Sequence, residues 1–104
     1  MMITGGANVF PAEVEEALSG HPDVVDQVVV GVADSEWGHR VHAIIQLRDG
    51  PHPPTPEELK EFCRARLAAY KIPKTWEFVD VVPRTEAGKL NRNALGEERA
   101  SAGR

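Results

Sequence analysis

The chain holds a single cysteine, Cys63, in 104 residues, so no disulfide can form within it. Cys63 falls in an apolar helical stripe, which reads as a packed thiol rather than a reactive one, and a reducing cytoplasm suits it. No apolar run approaches the roughly 20 residues that a membrane-spanning helix needs. Met1-Met2-Ile3 does not open a signal peptide, because no extended apolar stretch follows it. Runs of basic residues are also missing. Lysine and arginine total 12 against 16 aspartates and glutamates, and the net charge of −4 argues against nonspecific binding of nucleic acid. His21, His39, His42 and His52 lack the spacing of metal ligands, and there is no Cys/His cluster. Gly5-Gly6 is too short to be a phosphate cradle. Repeats are absent, and the one biased stretch, Pro51-His52-Pro53-Pro54, reads as an extended loop.

What is present suits one small domain. With 41% hydrophobic and 27% charged residues the chain can build a core, but not a deep private active site as well. Residues 3–10 read as a strand-like segment broken at Gly5-Gly6. Pro11 opens a helix at its first turn, with Phe10, Val14 and Leu18 recurring on one face; Gly20 and His21-Pro22 stop it. Residues 24–33 are valine-rich and read as a strand, 33–36 as a polar loop, and 40–48 as a second strand. In that second strand Val41, Ala43, Ile45 and Leu47 face one way and His42 and Gln46 the other, where Ile44 implies cover as well. Thr55-Pro56-Glu57-Glu58 is a capping box with proline at the first helical position. It predicts a helix over 56–69 with Leu59, Phe62, Cys63 and Leu67 on its apolar face. A third strand is expected over 75–82, ended by Pro83, then a loop broken at Gly88, a short helix over 92–99 and a frayed tail over 100–104. The first two strands are close enough to pair antiparallel, and the third can add in parallel. The expected fold is α+β: a small three-stranded mixed β-sheet with helices packed on it, preceded by a short β-hairpin-like segment.

Three segments carry more than fold. The first is Ile3-Thr4-Gly5-Gly6-Ala7-Asn8-Val9-Phe10-Pro11-Ala12-Glu13-Val14-Glu15. The second is Val30-Gly31-Val32-Ala33-Asp34 with Glu36-Trp37-Gly38. The third is Tyr70-Lys71-Ile72-Pro73, continuing to Val82-Pro83-Arg84-Thr85-Glu86-Ala87-Gly88-Lys89-Leu90. In this order they span nearly the whole chain, and together they resemble the C-terminal domain of the adenylate-forming superfamily. That group contains acyl-CoA synthetases, the adenylation domains of peptide synthetases, and luciferases. The resemblance implies that residues 1–104 are the lid of a two-domain enzyme, starting just past the hinge. The large N-terminal domain, outside this chain, would bind ATP with its Mg2+ and the carboxylic acid. The lid would rotate between two half-reactions: carboxylate plus ATP giving acyl-AMP and pyrophosphate, then a thiol displacing AMP.

By the same resemblance Lys89 matches the adenylation lysine. Carboxylate and α-phosphate repel as they approach, and one ammonium bridging both offsets that repulsion. Lysine suits the task as a point charge on a long stem, and Gly88 lets the loop carry it. Gly5 and Gly6 match glycines that line the thiol tunnel, where a Cβ would obstruct a pantetheine arm. Trp37 and Tyr70 match positions where some acyl-CoA ligases hold the CoA adenine on an aromatic face, and Lys71 and Lys74 are placed to meet nucleotide phosphates. Ile72 departs from the pattern, because some relatives carry an arginine there for a CoA phosphate. Glu13 and Glu15 favour their helix through its dipole.

The function this implies is the lid of an ATP-dependent acyl-CoA ligase for a fatty or other hydrophobic acid, cytoplasmic and not inserted in a membrane. Its partners would be the large domain of the same enzyme, ATP or acyl-AMP, and CoA, with no nucleic acid. Alone, the domain should be inactive or nearly so. Two alternatives stand beside it: the lid of an adenylation domain that loads a carrier protein, and a non-catalytic interaction module. Against the module stands Lys89 with its surrounding motif.

Overall fold

The computed structural model describes residues 2–83 together with 95, 96 and 99. Strands β1 (Met2–Thr4) and β2 (Ala7–Val9) form a hairpin. Its two-residue loop needs positive φ at both positions, and Gly5 (φ 56°) and Gly6 (φ 83°) supply it without a Cβ penalty. Helix α1 (Pro11–Ser19) follows, with proline at its N-terminus and Gly20 closing its C-terminus. Strands β3 (Val24–Asp34) and β4 (Gly38–Leu47) pair antiparallel over nearly their whole length. Helix α2 (Pro56–Arg64) is capped as the sequence predicts: the Thr55 hydroxyl oxygen accepts the Glu58 N–H. A 3-10 turn, Ala69–Lys71, leads into β5 (Thr75–Phe78), which pairs parallel with β4.

The architecture is α+β with a mixed sheet, as expected, but the sheet has five strands instead of three. Thr4 pairs with Gly38, so the hairpin is part of the sheet rather than a lead-in to it. With β3 along one edge of β4, β1 and β5 share the other, β1 at the Gly38 end and β5 at the Ile45 end.

Alternation along β3 and β4 sorts the core onto two faces. Val29, Val41, Ala43 and Ile45 meet Val14 and Leu18 of α1 and Leu59 and Cys63 of α2. Val28, Val30, Val32 and Ile44 meet Val82 and Leu95 on the opposite face, which is the cover that Ile44 implied. Two hydrophobic layers on one sheet let a short chain bury most of its aliphatic side chains.

Three boundaries differ from expectation. Phe10 is 53% exposed, because it occupies the extended position before α1 (φ −101°, ψ 116°) and so lies off the helical face that buries Val14 and Leu18. Helix α2 ends at Arg64 although residues 65–69 favour helix. The Arg66 guanidinium donates to the Phe62 carbonyl and stacks 3.6 Å from the Phe62 ring centroid, while Leu67 packs against the core. Strand β5 ends at Phe78, after which Val79 donates one more N–H to Ile45 and the chain turns to put Val82 on the other face. Of the expected helix over 92–99, Leu95, Gly96 and Arg99 are helical, and the other positions lie outside the described residues.

Candidate functional site

The tight turn between β3 and β4 builds one corner of the site. Asp34 Oδ1 accepts the N–H groups of Glu36 (2.9 Å) and Trp37 (3.0 Å), and its other oxygen lies 3.7 Å from Arg40. The Glu36 and Trp37 N–H groups, with Arg40 adding a smaller effect, hold the Asp34 carboxyl below the usual aspartate range. The turn presents Trp37, 40% exposed, beside the hairpin loop. Gly5 donates its N–H to the Trp37 carbonyl at 3.0 Å. A Cβ at Gly5 would stand 3.1 Å from Trp37 Cε3, whereas one at Gly6 would meet nothing within 4 Å. Gly5 is therefore needed by the fold itself, and Gly6 leaves its backbone open to the outside.

Lys74 joins this corner from the segment before β5. Its N–H donates to the Val41 carbonyl, and its ammonium lies 4.3 Å from the Trp37 ring centroid, a cation–π contact. Lys71 is placed differently. Its Nζ binds both oxygens of Glu13 at 2.7 and 2.9 Å, tying the 3-10 turn to the first turn of α1. Hydrogen bonding to Glu13 raises the Lys71 pKa, so it stays charged but already paired. The half-exposed Tyr70 ring lies beside the same ammonium, 5.6 Å away. Gly5, Trp37 and Lys74 thus form one group, and Tyr70 and Lys71 a second with Glu13.

Beside Lys74 lies an open cleft of about 250 Å³ lined by Lys60, Arg64, Ala69, Ile72, Pro73 and Lys74. Sequence reading missed Lys60 and Arg64. They are four residues apart on the exposed side of α2, a spacing that puts both on one face. A larger open cleft, about 510 Å³, lies at the far end of β4 among Leu47, Arg48, Asp49, Gly50, Pro53, Phe78, Val79 and Asp80. It holds none of the sequence-predicted residues, so size does not mark the site. Lys89 lies outside the described residues, and its place is bounded in sequence by Val82 and Leu95, both buried in the same cluster. No group of three or more potential metal ligands exists among the described residues, and no helix among them is long and apolar enough to cross a membrane.

A family described as the AMP-binding enzyme C-terminal domain matches residues 13–89. Fatty acid-acyl-carrier-protein ligase ScoC of Streptomyces coeruleorubidus is 44% identical over 94 residues, covering 90% of this chain and 18% of the relative. Among solved structures, a Mycobacterium tuberculosis fatty acyl CoA synthetase superposes with a TM-score of 0.88 at 35% identity, over 98% of this chain and 20% of that one. The o-succinylbenzoate CoA synthetase of Bacillus subtilis, solved with its acyl-adenylate intermediate, gives a TM-score of 0.82 at 42% identity, over 91% and 19%. This chain spans about a fifth of the length of the proteins it matches. It belongs to the AMP-binding enzyme C-terminal domain family, and its relatives include acyl-CoA and acyl-carrier-protein ligases.

Proposed function

We propose that this family member is the lid of an ATP-dependent acyl-CoA ligase acting on a fatty or other hydrophobic carboxylic acid. The observation that carries the reading is the grouping of Gly5, open-backed Gly6, Trp37 and Lys74 at one corner of the sheet. An exposed indole beside a cation fits a nucleotide, with the base on the ring and the phosphates on the ammonium. Lys74 is the better phosphate ligand of the two lysines, because Lys71 is already bound to Glu13. Tyr70 and Lys71 then border the site rather than fill it. Gly6 gives a pantetheine arm a backbone with no side chain in its path.

Lys89 supplies the other half of the chemistry. In the first half-reaction an acid oxygen attacks the α-phosphorus of ATP, a new P–O bond forms, and pyrophosphate leaves. The Lys89 ammonium bridges the two anions as their charges converge, which is worth about 10²–10³ in rate for a single well-placed donor. In the second, the lid presents the Gly6 side, a thiol attacks the acyl carbonyl and AMP leaves. ATP, Mg2+ and the acid are held mainly by the large domain, so the isolated chain turns over neither half-reaction at an appreciable rate.

A second reading, with a carrier protein as acceptor, is favoured by the similarity to the ligase ScoC. The test is to join the chain to its large domain, form acyl-AMP, and offer CoA and a phosphopantetheinyl carrier separately. Acyl-CoA formation supports the ligase reading. Transfer to the carrier alone replaces it with the second.

A further inference from the structure

One side-chain cluster takes no part in the site above. His42, 7% exposed, points from β4 onto the sheet face away from α1 and α2, beside Ile44. Its Nδ1 lies 2.6 Å from Thr75 Oγ1 and its Nε2 3.0 Å from Glu77 Oε1. Arg40 Nε donates to the same Thr75 oxygen at 3.3 Å. Arg99, from the C-terminal helical residues, forks onto Glu77, Nε to Oε1 at 3.0 Å and a terminal nitrogen to Oε2 at 2.8 Å. One assignment of protons satisfies every member. Thr75 accepts from Arg40 and donates to Nδ1, and Nε2–H donates to Glu77, which also accepts both Arg99 bonds. His42 is then neutral. Burial lowers its pKa, opposed by Glu77 and aided by Arg40 and Arg99, in keeping with that state.

The cluster completes a set of anchors. Val82 and Leu95 are buried in one apolar group with Val28, Val30, Val32 and Ile44. Gly96 sits so close to β3 that a Cβ there would overlap the Gly31 carbonyl oxygen. Apolar contact at Leu95 and close backbone approach at Gly96 hold the helical residues onto the sheet, but neither is a directional contact. A two-bond guanidinium–carboxylate fork is directional and fixes the roll. That directionality holds whatever the pair adds to net stability, which is often small for partly buried charge. Lys89 falls about midway in sequence between the anchors at Val82 and Leu95.

We propose that His42, Glu77 and Arg99 are positioning residues for the adenylation lysine, setting the C-terminal anchor of the segment that carries it. The inference rests on the role assigned to Lys89 above. It predicts that Arg99→Met and Glu77→Gln, each in the enzyme with its large domain, slow acyl-AMP formation about tenfold or more. Transfer of supplied acyl-AMP to the thiol should stay within about twofold. Arg99→Lys, which keeps the charge without the fork, should recover only part of the loss. In the 104-residue chain, nitrogen NMR should show His42 neutral and protonated at Nε2 at pH 7, and Arg99→Met should raise its pKa by exposing it and freeing Glu77. Equal loss of both half-reactions would make the cluster merely structural, and no loss in either would remove it from catalysis; both results overturn the proposal. Lys89→Ala is run in parallel. If it abolishes adenylation while Arg99→Met does not, this inference alone fails. If Lys89→Ala leaves adenylation intact, the role of Lys89 fails with it.

Discussion

Replacing Gly5 or Gly6 by alanine separates two costs that sequence alone cannot tell apart. Both glycines have positive φ, so a Cβ at either meets the left-handed penalty of about 1–2 kcal/mol. Loss of unfolded-chain freedom returns about 0.4–1 kcal/mol of it. Gly6→Ala, with open space around the new methyl, should therefore cost about 1 kcal/mol. Gly5→Ala adds a Cβ 3.1 and 3.3 Å from the Trp37 ring. The backbone that carries the ring is held, the Trp37 N–H by Asp34 and its carbonyl by Gly5, so relief requires the indole to swing off the Lys74 ammonium. Overpacking of this kind adds about 1–2 kcal/mol, so Gly5→Ala should cost about 2–3 kcal/mol, or roughly 8–24 °C in Tm for a domain of this size. Urea unfolding of the 104-residue chain, followed by tryptophan fluorescence, measures both. Measured in a Trp37→Ala background, and relative to that single variant, the cost of Gly5→Ala should fall to that of Gly6→Ala. Equal costs for the two single variants would refute the assigned contact.

Other outcomes follow from the same structure. Leu18→Ala and Leu59→Ala, each deleting a fully buried side chain, should lower stability by about 2–5 kcal/mol in urea titrations. Thr55→Ala removes the cap of α2 and should cost about 1 kcal/mol in the same assay. Cys63 is buried and its thiol is pushed up to about 11, so a disulfide reagent at pH 8 should label it only at the rate of unfolding. Stability should fall as pH drops below neutrality. His42 has a lowered folded pKa, so protonation favours the unfolded chain as pH falls through about 6.5 and below. Glu77, lowered chiefly by its hydrogen bond to Arg99, contributes stability above its unfolded pKa of about 4.5, and loses it as pH falls through the folded value. A urea midpoint that rises from pH 7 to pH 4 would contradict both assignments.

Much of this was legible in the sequence because the signals were local. The alternation in 40–48 gave both faces of β4, and the Thr55 capping box gave the start of α2. The ends of α2 and β5 were not legible, because tertiary contacts set them: Leu67 packing onto the core, and Val82 crossing to the second sheet face. Membership of the hairpin in the sheet rests on one pair, Thr4 with Gly38, whose partners are far apart in sequence. In the site, the sequence named Gly5, Trp37 and Lys74 but not their mutual contact. The resemblance gives Lys71 and Lys74 the same phosphate role, and the Glu13 contact of Lys71 separates them. The His42 cluster draws on three elements, which no local pattern could join.

The central claim is that this domain brings the adenylation lysine to a large partner domain. The most direct test compares wild type with Lys89→Ala in the enzyme with both domains, measuring pyrophosphate release from ATP and acid separately from thiol acylation by supplied acyl-AMP. The account predicts a loss of about 10²–10³ or more in the first rate with the second largely unchanged. Unchanged pyrophosphate release, or equal loss in both steps, would contradict it.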